Sequence, residues 1–421
     1  MRATKNKIGA VVVGGGVVGL SAAYFLARRG EPVTVLDHAP PGGAASSHNA
    51  GLLALGHPPL PRPGLAGQLL RLLFSPTSPL FIAPRLDPSL VPWLVGFLRA
   101  CRESRFERSV RLLAELGWEA GETFRGLVES EGIECEYEQA GWLEVFRTER
   151  AREEARGLAD RLRPFGYEIV ELPGDELRAK EPAFAPSVLG ALHHVDSAFA
   201  NPGSFMEGLA AAAERHGVRI KRECGVERIV ASGGEVAGVE LEGGERVDAR
   251  RVLLAGGVWS TGLARTAGVR VPMQAGKGYR VELGEMNVRP STACVLAETF
   301  VAVTPLSGGL QLAGTVELSG LSLEMRRRRL DMLRKGAREY LSGVDDAREL
   351  STWCGHRPMT ADGLPVVGPA PGVHGLYVAT GHAMMGFLLG PVTGRLVSEL
   401  MLDDRESFDL SEMSPARFVR G

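Results

Sequence analysis

A glycine-rich turn near the amino terminus constrains this chain more than any other feature. The run Gly14-Gly15-Gly16-Val17-Val18-Gly19 fits the pattern G-x-G-x-x-G, between an apolar segment, Ile8–Val13, and a segment with helical apolar spacing. Gly14 permits a tight turn, Gly16 leaves room for a pyrophosphate, and Gly19 lets helix and strand pack closely. The pattern predicts a strand–turn–helix unit that binds a dinucleotide, with the helix start at Val17 and Val18 facing the phosphates.

An acidic residue follows at the end of the next predicted strand. Asp37 comes directly after Val33–Leu36. A carboxylate in this position accepts hydrogen bonds from ribose hydroxyls and repels a 2′-phosphate. The basic and apolar start of the chain also resembles a secretory leader. The spacing of its glycines favours the phosphate loop instead, although the motif does not separate FAD from NAD.

Composition narrows the class of protein. The 421 residues suggest two domains, and a formal net charge of -2 offers no basic field for nucleic acid. The five cysteines form no C-x-x-C pair, which argues against a disulfide framework or a metal cluster and favours a reduced, cytoplasmic setting.

One Pro-punctuated region is unusually apolar. It contains Leu69–Phe74, Leu80–Ile82 and Leu90–Leu98, each too short to span a bilayer. We interpret it as loop and helix cover over a core. The alternative is shallow contact with a membrane or a partner.

Four later segments point to FAD: Gly42–Gly51, Ala255–Ser260, Trp353–Gly368 and Ala379–Gly386. The small residues of the first would let main chain lie against a flat ring system, or they could form an ordinary flexible loop. The candidate cofactor-binding residues in these segments are Ser47, Asn49, Ala50, Gly51, Gly256, Trp259, Gly381, His382 and Gly386, and Val226, on a predicted strand, is a further candidate.

These motifs resemble those of the FAD-dependent amino acid oxidase superfamily, most closely bacterial D-amino acid dehydrogenases. Glycine oxidases, sarcosine oxidases and hydroxyproline dehydrogenases share much of the pattern. The matching segments are the glycine fingerprint, Ser-x-x-Asn-Ala-Gly at 46–51, Lys277-Gly278-Tyr279, 296–299, Arg357-Pro358-Met359-Thr360 with Asp362-Gly363, and Thr380-Gly381-His382 with Gly386.

The resemblance implies an α/β fold with a discontinuous, Rossmann-type FAD-binding domain. That domain would comprise residues 1–56, 190–265 and 345–421. Residues 57–189 and 266–344 would form an α+β substrate-binding domain built on an antiparallel sheet.

The resemblance also implies oxidative deamination of a small amino acid, with the D-enantiomer favoured. Hydride would pass from Cα to flavin N5, and electrons to a quinone or another acceptor. One alternative is an oxidase that uses O₂ on glycine, sarcosine or proline-type substrates. Another is a non-catalytic flavin-binding assembly protein. Association with the inner face of a membrane is compatible with either enzyme.

Three residues are candidates for contact with the substrate, and three more could lie near the flavin or the pocket. A guanidinium binds a carboxylate through two parallel hydrogen bonds, which suggests that Arg357 binds the substrate carboxylate. Tyr279 could bond the substrate, or be a strand tyrosine anchored by its hydroxyl. His48 could help to deprotonate the amine. The other three residues are Lys277, which could approach the flavin or be solvated, Glu298, which could line the pocket or be a solvated strand residue, and His382, which could face the flavin or be a cap or packed histidine.

Overall fold

The computed structural model describes residues 8–39, 45–65, 67, 78–403 and 407–419. The predicted segments Gly42–Ala44 and Leu69–Phe74 lie outside the described residues. No helix in the described ranges is both long and apolar enough to cross a bilayer.

The strands alternate with helices through the first part of the chain and follow one another closely in the second. They are β1 (Ile8–Val13), β2 (Val33–Leu36), β3 (Leu52–Leu53), β4 (Leu80–Ile82), β5 (Trp142–Phe146), β6 (Ile169–Pro173), β7 (Gly190–His194), β8 (Ala198–Phe199), β9 (Arg219–Lys221), β10 (Val226–Ser232), β11 (Glu235–Leu241), β12 (Arg246–Leu254), β13 (Gln274–Leu283), β14 (Cys294–Leu296), β15 (Val301–Leu306), β16 (Gly309–Leu318), β17 (Glu349–Met359), β18 (Val366–Pro369) and β19 (Leu376–Thr380).

The described α-helices are α1 (Val17–Arg28), α2 (Leu90–Ala100), α3 (Glu103–Glu131), α4 (Glu149–Leu162), α5 (Gly174–Lys180), α6 (Pro202–Arg215), α7 (Ser260–Thr266), α8 (Arg327–Arg338) and α9 (Gly386–Asp403). Pro92 lies in the first turn of α2, where a missing N–H costs no helical hydrogen bond.

The first sheet has the parallel core that the fingerprint predicts. In the described residues its order is β10-β11-β12-β1-β2-β9, with β19 beside β12 and β18 beside β19. The parallel strands of this sheet are β1, β2, β9, β19 and the end of β12. Helix α1 makes the crossover connection that allows β1 and β2 to run parallel. The prediction of a Rossmann-type α/β domain is therefore confirmed.

Helices α1 and α9 cover one face of this sheet and cross at very short range. A Cβ on Gly394 would lie 2.5 Å from the Ala22 nitrogen, so only glycine allows this approach. The arrangement seats α1, and with it the phosphate turn, firmly against the sheet.

The second sheet is mostly antiparallel. Its order is β17-β13-β16-β15-β14-β5-β7-β6, with β4 beside β16. Strands β7 and β17 belong to the second sheet. The expected domain boundaries at 190 and 345 had placed both strands in the cofactor-binding domain. Alternation identifies a strand but does not say which sheet it joins. Within this sheet, β14 and β15 are joined by a short turn at 297–300.

Candidate active site

A cavity of about 1600 Å³ lies between the two sheets. One end is lined by the glycine turn after β1, and the other by the inner face of β17, β13 and β16. The predicted site residues that line it are Gly14, Gly16, Val17, Val18, Asp37, His48, Asn49, Ala50, Val226, Gly256, Trp259, Tyr279, Arg357, His382 and Gly386. Gly19, Ser47, Gly51 and Gly381 are not among the lining residues.

The fingerprint glycines have different structural roles. Gly14 has φ +111°, and a Cβ there would lie 2.5 Å from the Ala255 oxygen. A Cβ on Gly19 would lie 1.9 Å from the Gly14 oxygen. Gly16 borders the cavity, and only Ser46 Oγ, at 3.1 Å, would meet its Cβ. Gly14 and Gly19 thus serve backbone packing, and Gly16 keeps the cavity open.

The start of α1 points into the cavity with its N–H groups. The Val17 N–H donates to Ser46 Oγ at 3.0 Å. Ser46 also lines the cavity, whereas its neighbour Ser47, which was predicted to bind the cofactor, does not. Ser46 is the serine of the matched Ser-x-x-Asn-Ala-Gly pattern, which is the sequence signal that points to it.

Asp37 lies where the sequence predicted, at the cavity edge after β2. Its carboxylate accepts from the N–H of Gly15, which belongs to the phosphate turn, and from the Ala39 N–H at 2.6 Å. Burial raises the pKa of Asp37, and these two N–H groups oppose that rise. The side chain therefore both orders the glycine turn and presents acceptor oxygens to the cavity.

The loop at 46–51 is held by hydrogen bonds within the loop and by two residues of the second sheet. Asn49 bonds its own loop, through Nδ2 to the Ser46 oxygen at 2.6 Å and through Oδ1 from the Gly51 N–H at 2.8 Å. Gln311 donates to the Asn49 oxygen at 2.8 Å, and Thr304 donates to the Ala50 oxygen at 2.5 Å. These two residues of β15 and β16 clamp the loop, and no local sequence signal announces them.

His48, beside Asn49 in this loop, faces the second sheet. Its imidazole stacks on Trp353 of β17, with ring centres 4.9 Å apart and planes 11° apart. Both residues line the cavity. The stacking gives the ring a defined position near the strand that carries Arg357.

The carboxyl-terminal loop closes the cavity at the start of α9. Gly381 has φ +80°, and Gly386 begins the helix at the cavity wall. His382 is buried, with Nε2 2.9 Å from Thr393 Oγ1 on α9. This contact fits the interpretation of His382 as a packed histidine that stabilises α9. The imidazole ring also borders the cavity.

His382 makes stability sensitive to acid. Burial lowers its pKa from 6.5 to about 3, so the folded protein holds it neutral. The unfolded chain takes up a proton near pH 6.5, so stability is complete above that pH and falls as pH drops toward 3. We expect this residue to remove about 2 kcal/mol of unfolding free energy between pH 7.5 and pH 5.

Chemical denaturation of the wild type and His382→Gln at both pH values measures this effect. The glutamine retains a partner for Thr393 but does not titrate. The variant should lose about 2 kcal/mol less than the wild type on acidification. An equal loss in both proteins would contradict a neutral, buried His382.

Arg357 lies on the inner face of β17 and lines the cavity. Its Nη1 donates to the Thr315 oxygen at 3.0 Å. A Cβ on Gly278 would lie 1.9 Å from the same Nη1, so the side chain crosses the neighbouring strand where that strand has no side chain. Burial lowers its pKa to about 10, which leaves it protonated at neutral pH. No carboxylate of the described residues pairs with it.

The backbone that meets Arg357 is in an uncommon conformation. Thr315 has φ +57°, although it is β-branched and lies within β16. The pairing of β13 with β16 shifts register here, between Lys277 and Tyr279. The irregularity turns the Thr315 carbonyl toward the guanidinium. Strained residues of this kind persist where surrounding structure holds them, and they cluster at functional sites.

Tyr279 agrees with the second of its two interpretations, a strand tyrosine anchored by its hydroxyl, whereas Lys277 agrees with neither of its own. The Tyr279 hydroxyl donates to Glu317 Oε2 at 3.0 Å, and Lys277 Nζ lies 3.3 Å from Glu317 Oε1. Both side chains are almost fully buried, in a cluster that Arg329 completes under α8. Tyr279 borders the cavity, but its hydroxyl is anchored to Glu317. Lys277 is neither a cavity residue nor a solvated one.

Glu298 does not line the cavity. It lies in the turn between β14 and β15, where it accepts from the N–H groups of Arg147 and Thr148 at 2.9 Å and from the Tyr340 hydroxyl. Burial acts to raise its pKa, but these donors hold it below the usual value. It ties the start of α4 to the sheet, which is a structural role that spacing could not show.

The cavity fits FAD. The open space at Gly16 and the start of α1 suit a pyrophosphate, and Asp37 offers acceptors to a ribose. The clamped loop at His48–Ala50 and the start of α9 would hold the flavin ring. Ser46 and Val226 border the same space. No group of His, Cys, Asp and Glu in the described ranges is arranged to hold a metal ion.

Comparison with known proteins agrees with this geometry. The model of the DAO family, described as FAD dependent oxidoreductase, matches residues 10–400. This chain belongs to the DAO family. A D-amino acid dehydrogenase from Cereibacter sphaeroides is 32% identical, over 97% of this chain and 95% of that protein. One from Methylobacterium nodulans is 32% identical, over 97% and 99%.

Solved structures share the fold of this DAO family member. Glycine oxidase from Geobacillus kaustophilus superposes with a TM-score of 0.79 at 24% identity, over 98% of this chain and 99% of that one. L-proline dehydrogenase from P. horikoshii gives 0.75 at 18% identity, over 98% of each. Membership in the family makes this protein an FAD-dependent oxidoreductase, and FAD is the cofactor that the cavity accommodates.

Proposed function

We propose that this protein is a dehydrogenase of small amino acids, with D-amino acids favoured. One observation carries the proposal. Arg357 presents a charged guanidinium, without a carboxylate partner among the described residues, to the same cavity that the fingerprint glycines line. A half-buried cation without a partner carboxylate is costly, so its presence in a cavity favours an anionic ligand.

Arg357 would bind the substrate carboxylate through two parallel hydrogen bonds. The Thr315 carbonyl holds Nη1 at 3.0 Å and limits the orientations of the guanidinium. Binding in one orientation places Cα consistently, and such positioning supplies much of the catalytic advantage. Bound FAD supplies the chemistry of hydride acceptance.

His48 is the candidate base for the substrate amine. A neutral amine has a lone pair that assists loss of hydride from Cα, and an imidazole titrates in the required range. The stack on Trp353 keeps the ring at the cavity wall, on the strand that also carries Arg357. The proton would pass from the ammonium group to an imidazole nitrogen.

The relatives supply the preference for D-amino acids and for an acceptor other than O₂, since they are named D-amino acid dehydrogenases. The alternative is an oxidase of glycine, sarcosine or proline-type substrates. The fold resemblance to glycine oxidase keeps these substrates in the test.

An anaerobic bleaching screen tests the proposal. Purified yellow protein is mixed with D-amino acids, L-amino acids, glycine, sarcosine and both proline enantiomers. We expect small neutral D-amino acids to bleach the flavin absorbance fastest. Bleaching only by glycine or sarcosine would favour the alternative, and bleaching by none would reject both enzymes.

Reoxidation of the reduced protein then distinguishes the acceptors. A stopped-flow comparison mixes it with air-saturated buffer or with a soluble quinone analogue. We expect the quinone to restore the yellow colour much faster than O₂ at equal concentration. Faster reoxidation by O₂ would identify an oxidase.

A further inference from the structure

Glu144 of β5 presents a carboxylate to the same cavity, several strands away from Arg357. Its side chain is largely buried, with 19% exposed. Among the described residues its one ion-pair contact is with His194, whose Nε2 lies 3.8 Å away, beyond hydrogen-bonding distance. Arg62 also lines the cavity, but its guanidinium lies over the Phe300 ring, 5.9 Å from the ring centre. A largely buried carboxylate that lacks a close cation favours a cationic ligand.

Small side chains form the floor of the cavity between Glu144 and Arg357. In the register of the second sheet, Glu144 pairs with Val295 of β14, and Val295 pairs with Ala302 of β15. Ala302 in turn pairs with Ala313 of β16. All of these residues line the cavity. Because none of the three floor residues has a long side chain, a ligand can lie along the sheet above them.

The length of this floor suits a long amino acid. Arg357 Nη1 donates to the Thr315 oxygen on β16, and β16 is three strand positions from β5. Adjacent strands are about 4.8 Å apart, so the two strands are separated by about 14 Å. The Glu144 side chain and an ionic hydrogen bond of about 2.8 Å at each end occupy about half of that distance. The remainder matches the length of a lysine or arginine side chain, and an alanine side chain is far too short to reach Glu144.

The walls around Glu144 also suit a group with several N–H donors. His57 Nδ1 lies 2.8 Å from the Pro58 oxygen, so Nδ1 carries the proton and Nε2 is an acceptor in the neutral ring. Burial lowers the pKa of His57, which keeps the ring neutral. Trp142 and His194 are buried and stack with ring centres 4.2 Å apart. These walls exclude water and thereby strengthen the attraction between a carboxylate and a cation.

We propose that Glu144 binds the cationic end of a long substrate side chain while Arg357 binds the α-carboxylate. The substrate class is that of lysine and arginine, taken in addition to small amino acids. The proposal rests on the proposed amino acid oxidation and concerns affinity. A long cationic amino acid should bind more tightly than a neutral one of the same length, because only the cation gains the contact with Glu144.

Anaerobic flavin reduction by matched substrates tests this in the FAD-loaded, full-length protein. D-lysine is compared with D-norleucine, and D-arginine with D-citrulline, because the members of each pair differ mainly in charge. D-alanine serves as the substrate that cannot reach Glu144. We expect the concentration that gives half-maximal reduction rate to be at least about tenfold lower for the cationic member of each pair.

Two variants of Glu144 should change this preference. Glu144→Gln should raise the half-saturating concentration of D-lysine about tenfold and leave that of D-alanine unchanged. Glu144→Lys should reverse the preference, so that D-2-aminoadipate binds more tightly than D-norleucine. Glu153→Gln is the matched control, since it removes an exposed carboxylate from the neighbouring helix α4 and should behave like the wild type. Flavin content and the rate with D-alanine show that each variant is folded.

Equal half-saturating concentrations within each pair in the wild type would overturn the proposal. So would an equal effect of Glu144→Gln on D-lysine and D-alanine, or an equal effect of the Glu144 and Glu153 substitutions on D-lysine. If D-alanine still reduces the flavin in these cases, only the role of Glu144 is wrong. Reduction by no amino acid at all would reject the proposed function together with this site.

Discussion

Replacing Arg357 by methionine should lower kcat/KM for the best amino acid substrate by about 10³-fold. The substrate carboxylate would lose two charge-assisted hydrogen bonds in a buried site, which costs about 2–5 kcal/mol, and each factor of ten corresponds to about 1.4 kcal/mol. Anaerobic flavin reduction across a range of substrate concentrations measures the effect. Flavin content should stay unchanged, because Arg357 lies at the far end of the cavity from the phosphate turn.

Two further variants make the Arg357 result specific. Arg357→Lys keeps the charge but loses the planar fork, so we expect an intermediate loss of about 10–100-fold. Arg228→Met removes an exposed arginine paired with Glu240 on another strand, and activity should not change. If Arg357→Met bound and oxidised amino acids normally, the carboxylate role, and with it the proposed function, would be wrong.

Substituting the fingerprint glycines by alanine should separate packing from cofactor binding. In Gly19→Ala the new Cβ would lie 1.9 Å from the Gly14 backbone oxygen, so α1 must move away from β1. We expect the apoprotein to lose more than about 3 kcal/mol of unfolding free energy and to take up no flavin. Chemical denaturation and flavin absorbance are the measurements.

Gly16→Ala should behave differently, because its Cβ meets only Ser46 Oγ at 3.1 Å. The apoprotein should remain stable while FAD affinity falls, since the methyl group enters the space beside the start of α1. Gly126→Ala, within helix α3, meets nothing within 4 Å and serves as the control. Equal destabilisation by the Gly16 and Gly19 substitutions would contradict this division of roles.

The cofactor end of the cavity was predictable because its determinants are local. The fingerprint lies within one crossover unit, β1-α1-β2, and Asp37 directly follows its second strand, so the periodicity of the strands and the helix places them together. The loop at 46–51 follows the same unit closely along the chain. The residue type at each position also follows from backbone geometry, as Gly14 and Gly19 show.

The substrate end was less predictable because it depends on pairing between distant strands. Alternation shows that Lys277 and Tyr279 share one face of β13, but not which face meets the cavity. The pairing of Gly276 with Arg357 decides which face of β13 meets the cavity. As a result, the side chains of Lys277 and Tyr279 point toward Glu317. Thr315 was missed for the same reason, since only the register shift in β16 gives it φ +57°.

The loop at 46–51 links the binding of FAD to the association of the two sheets. In the sequence, the loop at 46–51 follows β2 of the first sheet. The carbonyl oxygens of Asn49 and Ala50, however, accept hydrogen bonds from Gln311 and Thr304 of the second sheet. Cofactor uptake should therefore be thermodynamically linked to docking of the two halves. We expect the two sheets of the apoprotein to separate more readily. Bound FAD, which contacts both, should make the protein unfold in a single cooperative transition.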